Sequence, residues 1–255
     1  MPSSRRGDWE HATLLFCAGN CGEQDAQERR MMAMPWIDNY VCDEAAQTNA
    51  FDADLNNVGG LTWLPWVGCH YRRGGVLVVG ESDYAMNDMA TEDETPVEHI
   101  TRDRLFLRKV IDRFGVKLDG YNPTIANIRR VLARDCEEKG KTLTRFAFMD
   151  LCQRAMSFAD AEEPSKDDFE AGLSVVGNVI GILRPSRILV LGLGIAKAVG
   201  HRFEATQLTA RINRCHPFSG NMAGVQCLCI RHPGRYFSSN EWKCYLQNEH
   251  PEFLA

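Results

Sequence analysis

GVLVVGESDY, residues 75–84, is the stretch on which the fold turns. Residues 75–79 are short, rich in β-branched side chains and apolar without alternation. A strand with one wet face would alternate, so this one is expected to be buried on both faces inside a parallel sheet. It runs straight into Gly80, Glu81, Ser82, Asp83 and Tyr84. Three further segments read as strands: TRFAFMD (144–150), ILVL (188–191) and QCLCI (226–230). Helical periods lie between them. Residues 101–114 and 124–138 are amphipathic, the second with Ile125, Ile128 and Leu132 on one face. Residues 167–183 follow Pro164 and Ser165 and carry acidic residues in the first turn. Gly192, Leu193 and Gly194 open another helix at Ile195, and the last begins near Ser239. This alternation predicts an α/β fold, a three-layer α/β/α sandwich with a central, mostly parallel sheet. Ligands of such sheets bind beyond the carboxyl ends of the strands.

The chain has 255 residues, 44% hydrophobic and 25% charged, enough for a sizeable core. Residues 1–58 show no clear period and are read as an N-terminal extension. Residues 59–255 are read as the α/β domain, with LTWLPWVG (61–68) packed on its body. No apolar run reaches the roughly 20 residues of a membrane helix. The opening MPSSRRGDWEHATLLF does not read as a signal peptide. Of ten cysteines, Cys152, Cys227, Cys229 and Cys244 sit in apolar segments, as buried thiols of a reduced, cytoplasmic protein do. Cys17, Cys21, Cys42 and Cys69 lack the tight paired spacing of a zinc site and are read as plain thiols, so no metal is expected. The net charge is −5. From residue 181 onward, however, nine Lys and Arg face four Asp and Glu, a local +5 that leaves −10 on residues 1–180. That asymmetry suits a polyanion-binding face on an acidic protein.

Four strand-to-loop segments follow one another in order: GVLVVGESDY (75–84), RFAFMDLCQRA (145–155), RPSRILVLGLGIAKAV (184–199) and CIRHPGRYFSSNEW (229–242). Together they resemble the uracil-DNA glycosylase superfamily, over roughly residues 61–245. In that family the first strand ends in a Gly-centred loop, a middle strand in a base-reading asparagine, a later strand in Gly before a helix, and the last loop is His-Pro-Ser or a close variant. The resemblance implies a uracil-DNA glycosylase-like sandwich. It also implies a monofunctional DNA glycosylase acting on double- or single-stranded DNA as a monomer, with no metal or organic cofactor. Such an enzyme extrudes its target base and stabilises opposite charges on sugar and base as the N-glycosidic bond breaks.

His232 matches the family histidine that donates to the base as charge builds there. Gly80 would let the backbone approach the substrate, and Tyr84 would wall the pocket near the pyrimidine C5. The family's water-activating aspartate is replaced by Ser82, so the flanking carboxylates are the candidates, Asp83 first and Glu81 second. Asp150 stands where uracil readers carry Asn. An ionised Asp only accepts hydrogen bonds, which suits the exocyclic amine of cytosine better than a uracil edge. The expected substrate is therefore a cytosine-type base, modified as in some viral genomes, excised in repair or in defence against foreign DNA. Phe148 would shape or stack on it. Gly192 and Gly194 would offer helix N-terminal amides to a phosphate, with Lys197 and Arg231 adding contacts. Pro233, Gly234, Arg235 and Tyr236 would form the loop that wedges into the duplex, and Ser238 would cap the final helix and reach phosphate. Two alternatives stay open: a uracil or deaminated-base glycosylase with Asp150 protonated, and a nucleic-acid-binding sensor without turnover, which the change to Ser82 favours.

Overall fold

The computed structural model describes residues 42, 45–85, 95–157, 160–234 and 236–254, all within the unit Met34–Ala255. Cys17, Cys21 and Arg235 lie outside the described residues, as does most of the acidic stretch after Tyr84. The fold is α/β. Its main sheet has seven strands: β1 (Trp66–Val67), β2 (Val76–Gly80), β4 (Ala147–Asp150), β6 (Arg187–Leu191), β7 (Thr206–Gln207), β8 (Phe218–Met222) and β9 (Val225–Ile230). Their order is β1-β4-β2-β6-β9-β8-β7. The four central strands are parallel, while β1, β8 and β7 join antiparallel at the edges. The unbroken apolar run of β2 has the expected cause: every residue from Val76 to Gly80 is buried between two parallel neighbours. Two short strands, β3 (Tyr84–Ala85) and β5 (Met156–Ser157), form a separate parallel pair beyond β2 and β4.

The helices follow the sequence in kind and differ in extent. Lys166–Leu183 starts on a capping box between Ser165 and Asp168, and buries Phe169, Val176, Val179, Ile180 and Leu183 along one stripe. Pro123–Leu132 starts on Asn122, whose side chain accepts from the Ile125 amide at 3.1 Å. This helix was expected to run to residue 138 but stops at Ala133, which is extended (ψ 132°). The apolar stripe has ended there, so further turns would bury nothing. The expected helix at 101–114 is instead two short α-segments, Pro96–Arg102 and Phe106–Ile111, followed by a π-helical turn, Asp112–Lys117. The expected strand 144–150 is extended only from Ala147, because Lys139–Arg145 forms 3₁₀ turns.

Residues 45–58 are joined to the body. The Thr48 amide donates to Val67 O at 2.8 Å and the Cys69 amide to Ala46 O at 3.0 Å. Arg108, 2% exposed, donates to both carboxylate oxygens of Asp52 at 2.9 and 2.6 Å, and to Pro65 O at 2.8 Å. The domain therefore begins before residue 59. Period analysis could not reach this segment, because it is held by one charge and backbone bonds rather than by an apolar stripe. Trp63 and Trp66 are buried, as the 61–68 stretch implied.

Removing one partner of a buried ion pair leaves the other unpaired in low dielectric. Asp52→Ala should destabilise the protein by about 3 kcal/mol in urea unfolding, and adding Arg108→Met should restore most of the loss.

Candidate functional site at the carboxyl ends of the central strands

Strand register brings the four sequence-derived loops to one rim. Gly80 pairs with Asp150, Val79 with Val190, and Leu191 with Ile230, so β4, β2, β6 and β9 end side by side. The 81–84 and 151–155 loops then continue together. The Leu151 amide donates to Gly80 O at 3.0 Å, Cys152 to Glu81 O at 2.9 Å and Met156 to Asp83 O at 2.9 Å. Arg154 anchors the second loop, donating to both carboxylate oxygens of Asp168 at 2.8 and 2.9 Å and to Glu162 at 2.6 Å.

Asp83 and Asp150 meet within this frame, their side-chain carboxyls hydrogen-bonded to each other. Such a bond requires a proton between them. Burial pushes Asp83 up to about 6. Asp83 keeps some surface as a residue, but its carboxyl faces inward on Asp150. Asp150 is raised well above the usual carboxylate range, first by burial, then by the Asp83 charge and hydrogen bond, and by Glu81. At neutral pH the proton therefore resides on Asp150 and the charge on Asp83. Asp150 Oδ2 is buried and unpartnered among the described residues.

Gly80 is also required by packing within the protein. A Cβ there would collide with Asp150 Oδ1 and touch the Phe148 ring at 3.4 Å. The bare backbone makes room for the Asp150 carboxyl. Phe148 is buried beneath Gly80 and Asp150, a floor rather than a free stacking face.

Glu81 points toward β6. Its carboxylate lies against Gly192, where a Cβ would sit 2.8 Å from Oε2, and a Cβ on Gly194 would sit 3.7 Å from Oε1. Gly192 has φ +150° and is buried, so the turn suits only glycine. Burial, and then the nearby Glu163, raises the Glu81 pKa. A carboxylate thus lies beside the Gly192–Gly194 turn. Lys197 is exposed on the following helix, Leu193–Val199.

Ser82 Oγ is buried and has no close partner among the described residues beyond the neighbouring Tyr84 phenol. Tyr84 is 39% exposed, and burial raises its phenol. Its backbone is held by pairing with Met156.

In the loop after β9, His232 is exposed at its outer side while the protein crowds its inner side, and this burial lowers its pKa. The imidazole is therefore neutral at neutral pH and can donate one N–H. Pro233 is buried and shares an apolar crevice with Ile128, Leu191, Ile230 and Phe237. Asn127 Nδ2 donates to Pro233 O at 2.9 Å, fixing the loop to the helix Pro123–Leu132. Gly234 adjoins the His232 ring. Arg231 is turned to Asn213, donating to its Oδ1 at 3.0 Å. Ser238 caps the helix Ser239–Glu249, accepting from the Glu241 amide. Tyr236 stands 68% exposed in the left-handed region (φ +62°) at the loop tip. β6 lies between β2 and β9, so the loops bearing Asp83 and His232 leave strands two places apart on the same rim.

Asn127 and Arg154 were missed from the sequence. Asn127 lies outside the four quoted segments and acts on a loop remote in the chain, and Arg154, although inside one of them, works through the carboxylates of Glu162 and Asp168, which no motif connects to it. Among the described residues no group of three or more His, Cys, Asp and Glu is arranged to hold a metal, and no helix is long and apolar enough to cross a membrane. No protein-family model matches the chain, and no curated protein does. The class that fold and site define is therefore an α/β protein with a buried acidic pair at the carboxyl edge of a mostly parallel sheet.

The pair makes stability depend on pH. A carboxyl whose folded pKa is raised binds its proton more tightly when folded, so stability falls as pH rises from the unfolded value through the folded one. For Asp83 that window runs from its ordinary 3.8 to about 6. Urea unfolding should lose about 2 kcal/mol across it, and Asp83→Asn should flatten the profile.

Proposed function

We propose that this chain is a DNA glycosylase that hydrolyses the N-glycosidic bond of an extruded, modified cytosine-type base and leaves an abasic site. The observation that carries the reading is the Asp83–Asp150 pair, hydrogen-bonded at the ends of adjacent parallel strands on the rim that also bears His232. The order and content of the four loops support it through their resemblance to the uracil-DNA glycosylase superfamily. The parallel sheet centre is compatible with that family's three-layer sandwich.

The residues divide the work as follows. Asp83, with a pKa of about 6, is ionised at neutral pH yet basic enough to take a proton from water attacking the sugar carbon. Its charge also stabilises the oxocarbenium-like sugar. Asp150 holds its proton toward Asp83, which leaves its second oxygen as an acceptor only. The unpartnered Oδ2 matches the exocyclic amine of a cytosine edge, whereas uracil would also require a donor to its O4. His232, neutral, donates to the base carbonyl as the bond breaks and negative charge moves onto the base. Tyr84 borders the pocket. Lys197, Arg231 and Tyr236 lie toward the duplex, with Tyr236 filling the gap left by the flipped nucleotide.

The reading is tested on duplexes carrying uracil, cytosine, 5-hydroxymethylcytosine or glucosylated 5-hydroxymethylcytosine, followed by alkaline cleavage of abasic sites. Scission on a modified cytosine is expected, with a rate that rises with pH and levels off above about 6 as Asp83 ionises. Asp83→Asn and His232→Ala should each slow it about a hundredfold or more. Scission on uracil alone would overturn the cytosine assignment. Binding without scission on every substrate would identify a sensor instead.

A further inference from the structure

The opposite end of the sheet carries a second feature, independent of the glycosylase reading. Where the central strands begin, a cavity of about 560 Å³ opens, within the roughly 300–1,000 Å³ of small-molecule sites. It lies a strand's length, about 15 Å, from the Asp83 rim. The turn before β2 contributes His70, Arg72, Arg73 and Gly74, the segment before β4 contributes Arg134, Glu137, Lys141 and Arg145, and Ser186 and Glu252 close it.

Its charge is the opposite of the chain's. Five Lys and Arg face two Glu in the lining, whereas the whole protein carries −5. Arg145 is committed to the fold, donating to both Glu137 oxygens at 2.8 and 3.0 Å and to Leu254 O at 3.0 Å. Arg72, Arg73 and Arg134 are not. Arg72 donates to the carbonyls of Cys69 and Tyr71, Arg134 to Leu254 O, and Arg73 lies over the Phe51 ring. None of these three side chains has a carboxylate partner among the described residues. Arg187 follows Ser186 and pairs with Val76 of the lining, and its buried Nε has no acceptor among the described residues. Three unneutralised guanidiniums on one cavity pay a repulsion that a multivalent anion would remove, and planar guanidinium forks suit phosphate oxygens.

We propose that this cavity binds a small ligand bearing two or more linked phosphates, with room for an attached nucleoside. The net lining charge of about three positive units complements a diphosphate or triphosphate better than a single phosphate. His70 and Ser186 add hydrogen-bonding groups beside the arginines.

Isothermal titration of the full chain with tripolyphosphate and with adenosine triphosphate tests this. Saturable one-to-one binding that weakens with added salt is expected. Tighter binding of the nucleotide would show that the nucleoside is also held, while equal affinities would confine recognition to the phosphates. Arg72→Ala combined with Arg73→Ala should weaken binding at least tenfold, and Arg134→Glu, which spares the turn before β2, should do the same. Asp83→Asn should leave it unchanged. Three results would overturn the proposal: no saturable binding of either probe by wild type, affinity unchanged in both arginine variants, or binding only of a single-stranded DNA decamer through these same arginines.

Discussion

Two carboxyl groups held against each other at the end of a parallel strand pair cannot both ionise, and the rim is organised around that constraint. The register that sets Gly80 beside Asp150 delivers the Asp150 carboxyl to the place where a side chain on β2 would otherwise stand. The turn after Gly80 brings Asp83 back onto it. One proton is then trapped between them, and burial keeps it there. An arrangement of this kind costs folding free energy at neutral pH. Backbone bonds stitch the two loops together, and the Arg154 clamp holds the second of them, so the pair persists.

The same constraint assigns different chemical states to the acids along the rim. Asp150 is kept neutral and Asp83 stays poised near neutrality. Glu81 is turned away onto the Gly192 turn, out of contact with the pair, yet close enough that its charge helps hold the proton on Asp150. Environment, more than residue type, separates three carboxyls that lie within one short stretch of sheet edge. His232 is pushed in the opposite direction, toward the neutral form, by the crowding of its inner face. The rim thus carries a neutral donor after β9 and a basic acceptor after β2.

Much of the fold was legible because its cause is local. Apolar runs gave β2, β6 and the buried end of β9, and the Ser165 box with an acidic first turn gave the start of the long helix. Where the reading missed, the cause was not local. β8 shows no clean alternation, since Phe218, Ser219 and Gly220 are only partly buried, and it becomes a strand by pairing with β9. Residues 45–58 have no period because an ion pair to Arg108 holds them. The helix beginning at Pro123 was read too long because charged residues continue past the point where its apolar face ends.

The sequence by itself determined the α/β alternation, the four loops and the residue types they carry, because strand burial and turn chemistry are written in neighbouring residues. Only the tertiary structure decided which of those residues meet. Asp83 and Asp150 lie 67 positions apart in the chain, and no local pattern shows that they share a proton. The parallel register of β2 and β4 does, since pairing Gly80 with Asp150 leaves one glycine-sized space and a carboxyl to fill it. The basic cavity at the other end of the sheet is a product of the same pairing, which gathers the starts of β2, β4 and β6 from three separate stretches of the chain.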